Sequence, residues 1–318
     1  MRVRTLKSMC RVTGGLMLTA LLASNAFAQT PAPTTITTTP PPTPAKEEPK
    51  PEPPKGPNTG ALSLSAGVDF PTAYFFRGIR QETDGWIVQP YGELGFKLYE
   101  GSGAFTNLAL TFGTWNSLHG GPSGIEGSGS DPKSWYESDF YTRLSATFFE
   151  AFTGQILYTA YMSPNNSFAT VQEIAFGLNV NDSEWLGAFA LNPSILLAKE
   201  LKNQADNGSE KGIYLQLGLT PAYTFNWGTA YPLTLSLPIL LGLSLSDYYE
   251  FGTGQDDTFG YFQVGLAASV PLAFIPASFG SWQLKGSVSW MHLGDNLKTV
   301  NRDDRDQFIG TIGIAFTY

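Results

Sequence analysis

Once residues 1–28 are set aside, two histidines remain, His119 in "SLHGGPSG" and His292 in "SWMHLG". An imidazole becomes a general base for a serine when a third group orients it. The sequence offers no such partner at either site, and neither histidine is followed two residues later by serine. Both read as surface or interfacial residues. Cys10 is the only cysteine and lies before the first apolar run, so the remainder has no thiolate for nucleophilic or metal chemistry. The loop "GGPSGIEGSGSD" lacks the lysine and the strand-to-helix setting of a phosphate loop. Asp256, Asp257, Asp303, Asp304 and Asp306 crowd two short segments, but their spacing does not fit a calcium loop. Solvated loop charge is the expected role, compatible with cations bridging these loops to lipopolysaccharide phosphates. No catalytic residue, metal or cofactor is expected, and the chain reads as a non-enzyme.

The remaining polar chemistry lies in Asp69, Arg77, Gln89, Glu93, Lys97, Glu137, Asp139, Arg143, Gln155, Glu173, Gln216, Gln283 and Lys285. These fall inside alternating apolar runs, on the side opposite the apolar residues. Side chains alternate across a strand with period two, so each run has one apolar and one mixed polar face. Twelve runs are visible, near 61–70, 86–99, 104–115, 135–149, 152–163, 170–181, 186–198, 211–226, 231–246, 258–272, 281–294 and 307–318. The first is read as able to continue past Pro71 into "TAYFFRGI". In the ninth, Leu233, Leu235, Leu237, Ile239, Leu241, Leu243 and Leu245 share one face. Runs of ten or more exceed the usual soluble strand of about 5–6 residues and match the roughly 9–11 needed to cross a bilayer at a tilt.

Composition agrees. Aromatic residues make up 14% and charged residues only 14%, against roughly 25% in soluble domains. Connections after odd-numbered runs are mostly long and polar, as in "KELKNQADNGSE" and "DYYEFGTGQDDT". Those after even-numbered runs are mostly short, as in "EGSG", "EA" and "NDSE". Long outer loops, short inner turns and tryptophans near run ends predict an all-β fold: a transmembrane, antiparallel, up-and-down barrel of about twelve strands over 61–318. Trp86, Trp185, Trp227, Trp282 and Trp290 have outward parity; Trp115 and Trp135 have inward parity, which fits an interfacial girdle only if a bulge intervenes.

The N-terminus predicts the location. Four basic residues, a short apolar core and the small residues Ala26 and Ala28 before Gln29 form a secretory signal peptide over 1–28. Residues 29–60 hold 11 of the 22 prolines and read as a solvated, polyproline-like periplasmic linker, a candidate tether to cell wall or a periplasmic partner. Without residues 1–28 the chain carries 15 basic against 27 acidic residues, which excludes a charge-driven nucleic-acid binder.

The C-terminus, "TIGIAFTY", ends an alternating strand on an aromatic residue. It resembles the C-terminal signal read by the barrel-assembly machinery of bacterial outer membranes, through Thr311, Gly313, Phe316 and Tyr318. Two further segments resemble the TorF-like porin family of presumed outer-membrane barrels. In "AYFFRGIRQE" the likeness rests on Tyr74, Phe76, Arg77, Gly78, Ile79 and Gln81, while Ala73, Arg80 and Glu82 depart from the pattern. In "LTFGTWNS" it rests on Gly113, Trp115 and Ser117. The resemblance implies a channel in the outer membrane without naming a solute.

The expectation is therefore a barrel among outer-membrane lipid and lipopolysaccharide that passes small hydrophilic solutes through a narrow charged lumen. Arg77, Glu93, Lys97, Arg143, Glu173 and Lys285 would shape its field. The alternative is a closed barrel acting through its outer loops or its proline-rich tether.

Overall fold

The computed structural model describes residues 60–124, 133–227, 231–251 and 254–318. The signal peptide and nearly all of the linker lie outside the described residues. The chain begins with β1 (Leu62–Pro71), the short β2 (Tyr74–Phe76) and β3 (Ile79–Glu82), and β4 (Ile87–Glu100). There follow β5 (Phe105–His119), β6 (Trp135–Phe148), β7 (Phe152–Met162), β8 (Val171–Val180) and β9 (Ser194–Lys202). A helical turn, α1 (Ser183–Leu186), precedes β9. Next come β10 (Ile213–Leu219), β11 (Ala222–Phe225), β12 (Leu233–Ser236) and β13 (Ile239–Ser246). The chain closes with β14 (Phe259–Pro271), β15 (Ser281–Leu293), α2 (Asp295–Val300) and β16 (Asp306–Thr317).

Every wall strand pairs antiparallel with its neighbours, and β16 pairs with both β15 and β1, so the sheet closes on itself. Closure leaves no backbone edge facing lipid. The last residue takes part: Tyr318 N donates to Leu64 O at 2.7 Å and its carbonyl accepts from Leu64 N at 2.8 Å. Two wall strands are interrupted by proline, which has no N–H to give the ladder. Pro221 separates β10 from β11, and Pro238 separates β12 from β13. Leu219 faces Ile239 and Ala222 faces Ser236 in one continuous register, so each pair forms a single stave. Among the described residues the wall thus has twelve staves.

Alternation decides which face meets lipid. Phe112, Phe140, Leu144, Ile156, Phe176, Leu266, Val288 and Ile312 are exposed on the outer surface, while Asp69, Gln89, Asp139, Arg143, Glu173 and Lys285 are buried inside. No described helix is long and apolar enough to cross a membrane; the crossing elements are strands. An apolar belt on a closed antiparallel barrel is the architecture of the outer membrane, where this protein resides.

Three sequence expectations change. First, the segment after Pro71 does not prolong β1. It leaves the wall and forms the β2–β3 hairpin, a separate two-stranded sheet. Second, the seventh stave is 194–202 rather than 186–198. Residues 181–193 instead make a longer inner connection whose Trp185, Leu186, Phe189 and Leu191 are exposed, an apolar run that has no period-two face to bury. Third, the two discordant tryptophans separate. Trp115 is buried inside, whereas a register shift between Ser117 and Leu118 turns Trp135 outward to 42% exposure.

Gly313 shows why the terminal strand needs a small residue facing inward. It lies opposite both Asp69 and Lys285, and a Cβ there would collide with the Asp69 carboxylate.

Candidate functional site

The β2–β3 hairpin occupies the lumen at the end that carries the long loops. Thr72 makes the last ties to the wall: its N–H donates to Gly310 O at 2.8 Å and its hydroxyl accepts from Gly310 N at 2.9 Å. Beyond it the chain turns inward, and Tyr74, Phe75, Phe76, Ile79, Arg80, Gln81 and Glu82 are all buried. The reversal is built by Arg77 and Gly78, with φ of 46° and 87°. Two consecutive left-handed residues suit a two-residue hairpin turn, and glycine adopts that conformation without strain.

Arg77 at the tip reaches β8 on the far side of the barrel. Its Nη1 donates to Glu173 Oε2 at 2.6 Å and its Nη2 to Glu173 Oε1 at 2.8 Å, a bidentate pair with both side chains no more than 4% exposed. Nη1 also donates to Tyr248 Oη at 2.7 Å, and the guanidinium lies 4.2 Å from the Tyr214 ring centroid. A planar cation that fits a carboxylate fork and an aromatic face together is what arginine supplies and lysine does not. The tip is fixed elsewhere by backbone contacts. Tyr249 Oη donates to Arg77 O at 3.0 Å, Asn301 Nδ2 donates to Gly78 O at 2.7 Å, and Arg80 N donates to Asn301 Oδ1 at 2.8 Å.

The base of the hairpin is held by the near wall. Tyr74 Oη donates to Glu137 Oε2 at 2.9 Å, and the Tyr74 ring packs at 5.2 Å from Trp115. Phe76 meets Tyr161 edge-on at 5.3 Å. Outer loops close over the assembly through carboxylates that accept backbone N–H groups. Glu200 takes Ala205 N at 2.6 Å and Gly212 N at 2.8 Å, Asp206 takes Glu250 N at 2.7 Å, and Glu250 takes Ser209 N at 2.9 Å.

His119 is not a surface residue, contrary to the sequence reading. It is 2% exposed and stacks on Tyr136 at 4.6 Å. Ser117 Oγ lies 2.7 Å from its Nε2 and Ser123 Oγ lies 2.7 Å from its Nδ1. Ser117 has no exposed surface and also accepts from Gln89 Nε2 at 3.2 Å. His292 remains at the surface, 2.8 Å from Asp306. Asp256 and Asp257 cap loop backbone, accepting from Tyr249 N and Asp295 N at 3.0 Å each. Among the described residues no group of three or more His, Cys, Asp or Glu could hold a metal ion.

The other sequence-selected charges have distinct positions. Arg143 pairs with Glu93 at 3.0 Å, and Tyr141 Oη donates to the same Glu93 oxygen at 2.8 Å. Lys285 pairs with Asp69 at 2.9 Å and donates to Tyr91 Oη at 2.9 Å. Lys97 stands apart at the inner rim beside a register shift, 35% exposed and paired with Glu100 at 2.8 Å. What parity does not reveal is the group of tyrosines around Arg77. Tyr214, Tyr248, Tyr249 and Tyr261 are essentially inaccessible, and the "DYYEF" segment within a long loop is the one legible sign.

Two exposed pairs clasp the outer loops. Arg302 Nη2 meets Asp84 Oδ2 at 2.6 Å, and Arg305 meets Asp295. The hydrogen bond from Arg302 holds the Asp84 carboxyl below its ordinary range, and that from Arg305 does the same for Asp295. A carboxylate with a lowered folded-state pKa gives stabilisation that is present above an unfolded value of about 4 and lost as pH falls through the folded one. Amide exchange at residues 84–86 and 301–305 is therefore expected to accelerate on acidification below about pH 4, after correction for intrinsic rates. Unchanged protection would contradict the clasp.

No family model matches this chain, and no curated protein does. Among solved structures, LpxR from Salmonella typhimurium is similar over 80% of this chain and 99% of its own, at 10% identity and a TM-score of 0.45. An outer-membrane channel from Pseudomonas putida F1 is similar over 85% of this chain and 100% of its own, at 12% identity and a TM-score of 0.45. The translocator domain of the autotransporter NalP from Neisseria meningitidis covers 82% and 89%, at 14% identity and a TM-score of 0.40. The class follows from this chain's own wall: it is an outer-membrane β-barrel with a hairpin folded into its lumen. The likeness to the TorF-like family rests on the two motif segments alone. Here those segments touch. The first makes the hairpin, and the second presents Trp115 to receive Tyr74.

Proposed function

We propose that the protein is a non-enzymatic outer-membrane channel for small hydrophilic solutes, in which the β2–β3 hairpin restricts the bore. The observation that carries this reading is the hairpin itself. The outer half of the lumen is filled by a chain segment hinged at Thr72, docked through Arg77 and hydrogen bonds, and not by wall side chains alone. Below it, inward positions are small and hydroxylated, including Ser65, Ser145, Thr147, Thr153 and Thr234. A polar vestibule behind a dockable segment suits restricted passage of water-soluble molecules. Glu93, Arg143, Lys285 and the inner-rim Lys97 supply the field along the wall. The buried Ser117 and the absence of a free carboxylate on either nitrogen of His119 favour transport over catalysis.

A second reading has its own support. Three buried ion pairs and a filled outer mouth suit a closed barrel that acts through its loops or its linker toward a cell-wall or periplasmic partner. In either case the surroundings are outer-membrane lipid and lipopolysaccharide, and Thr311, Gly313, Phe316 and Tyr318 address the barrel-assembly machinery. Planar-bilayer recording of the refolded mature protein separates the two. Discrete steps are expected of a channel. Silence at all voltages from correctly folded barrel supports the closed reading.

A further inference from the structure

A cavity of about 580 Å³ lies beside the hairpin at the outer end of the barrel. That volume falls within the range of small-molecule sites, roughly 300–1,000 Å³. Its lining includes four aromatic residues, Phe76, Tyr136, Tyr161 and Phe168, and the acidic Glu137, with no lysine, arginine or histidine among the described residues. The rim is formed by Asn166, Ala169 and Asn207, all exposed, so the cavity opens toward the side of the long loops.

The charge around this cavity is not balanced. Glu137 and Asp139 are 4% and 2% exposed and stand two residues apart on the inward face of β6. The Glu137 side chain accepts a hydrogen bond from the neutral Tyr74 hydroxyl. Asp139 keeps one oxygen, Oδ1, buried and without any hydrogen-bond partner. Of the two arginines in the hairpin, Arg77 is committed to Glu173 by two bonds and Arg80 does not line the cavity. Two adjacent buried carboxyls with no cation of their own are costly unless a proton or an external positive charge joins them. Aromatic faces attract cations through the ring quadrupole, and a cage of rings with a carboxylate is the chemistry that holds organic ammonium groups.

We infer that this cavity is a binding site for a small organic ammonium cation, its charge directed at Glu137 and its carbon skeleton against Phe76, Tyr136, Tyr161 and Phe168. The inference deepens the channel reading by naming a solute class. It is tested without conduction, so the two can fail separately.

The test is isothermal titration of the detergent-refolded mature barrel with tetramethylammonium chloride and with 1,5-diaminopentane, using sodium chloride and glucose as controls. Saturable binding of at least one ammonium probe, absent for sodium and glucose, is expected. Glu137→Gln should weaken it at least tenfold. Phe168→Ala, at a half-buried position outside the wall, should weaken it several-fold and guards against misfolding of the first variant. No saturable binding by the unmodified barrel, equal binding of sodium or glucose, or undiminished binding in both variants would overturn the inference. Binding from a barrel that never conducts would leave this site standing and remove the channel reading. Conduction without ammonium binding would do the reverse.

Discussion

Replacing Arg77 by alanine is expected to release the hairpin tip from the far wall and raise the single-channel current. The substitution removes both bonds to Glu173, the bond to Tyr248 and the packing of the guanidinium on Tyr214. It also leaves the Glu173 carboxylate inside the barrel without a cation. Breaking one side of a buried pair costs about 3–5 kcal/mol, chiefly through the stranded charge. If that cost fell wholly on docking, the docked-to-free ratio would drop by about 10²–10⁴, at tenfold per 1.4 kcal/mol. Release offers Glu173 water, so undocking is favoured in proportion. The double variant Arg77→Ala/Glu173→Gln removes the stranded charge and should recover part of the docking, giving a smaller increase than Arg77→Ala alone. Equal currents in all three proteins would show that the pair does not hold the barrier.

The second large effect is expected from removing residues 311–318. This stretch supplies most of the pairing of β16 with β1, from Ser65 opposite Thr317 to Pro71 opposite Thr311. It also supplies the lower half of the β15–β16 ladder and the contact of Phe316 with Trp282 at 4.9 Å. Without it the wall has two unpaired edges in lipid, where each unsatisfied backbone group costs several kcal/mol. The truncated chain should give no heat-modifiable folded band on refolding into detergent or vesicles. In cells it should fail to reach the outer membrane, because the residues proposed to address the assembly machinery are gone as well. A folded, heat-modifiable truncation would show that the last strand is dispensable for closure.

How much of this was legible beforehand depended on whether a residue obeyed strand parity. Eleven of the twelve staves were visible close to their observed bounds, because a wall with lipid on one side and water or polar groups on the other forces period-two alternation. The same parity placed Asp69, Glu93, Arg143, Glu173 and Lys285 inside. It misled where both faces of a segment are buried. The hairpin residues Tyr74, Phe75 and Phe76 carry no alternation, so they looked like more of β1. Parity also says nothing about partners: it places Arg77 and Glu173 among the inward charges without showing that they pair. His119 was misread for a related reason. Its burial depends on Tyr74 and Tyr136 arriving from the hairpin and from β6, neither of which is near it in sequence.

Stave seven failed differently. The stretch from Leu186 to Ala198 is mostly apolar, and apolarity alone does not separate a wall strand from a turn lying at the membrane surface. Pro193, just before β9, marked the boundary more reliably than hydrophobicity did.

The proposed barrier to passage is the hairpin. The direct measurement is single-channel conductance, with reversal potential under a salt gradient, for the mature protein and for a variant in which residues 73–82 are replaced by a short Gly-Ser link. Removing the hairpin removes Arg77 and exposes Glu137, Asp139 and Glu173 to the lumen. The predicted result is a step several-fold larger and shifted toward cation selectivity. An unchanged step size and reversal potential in a correctly folded variant would contradict it.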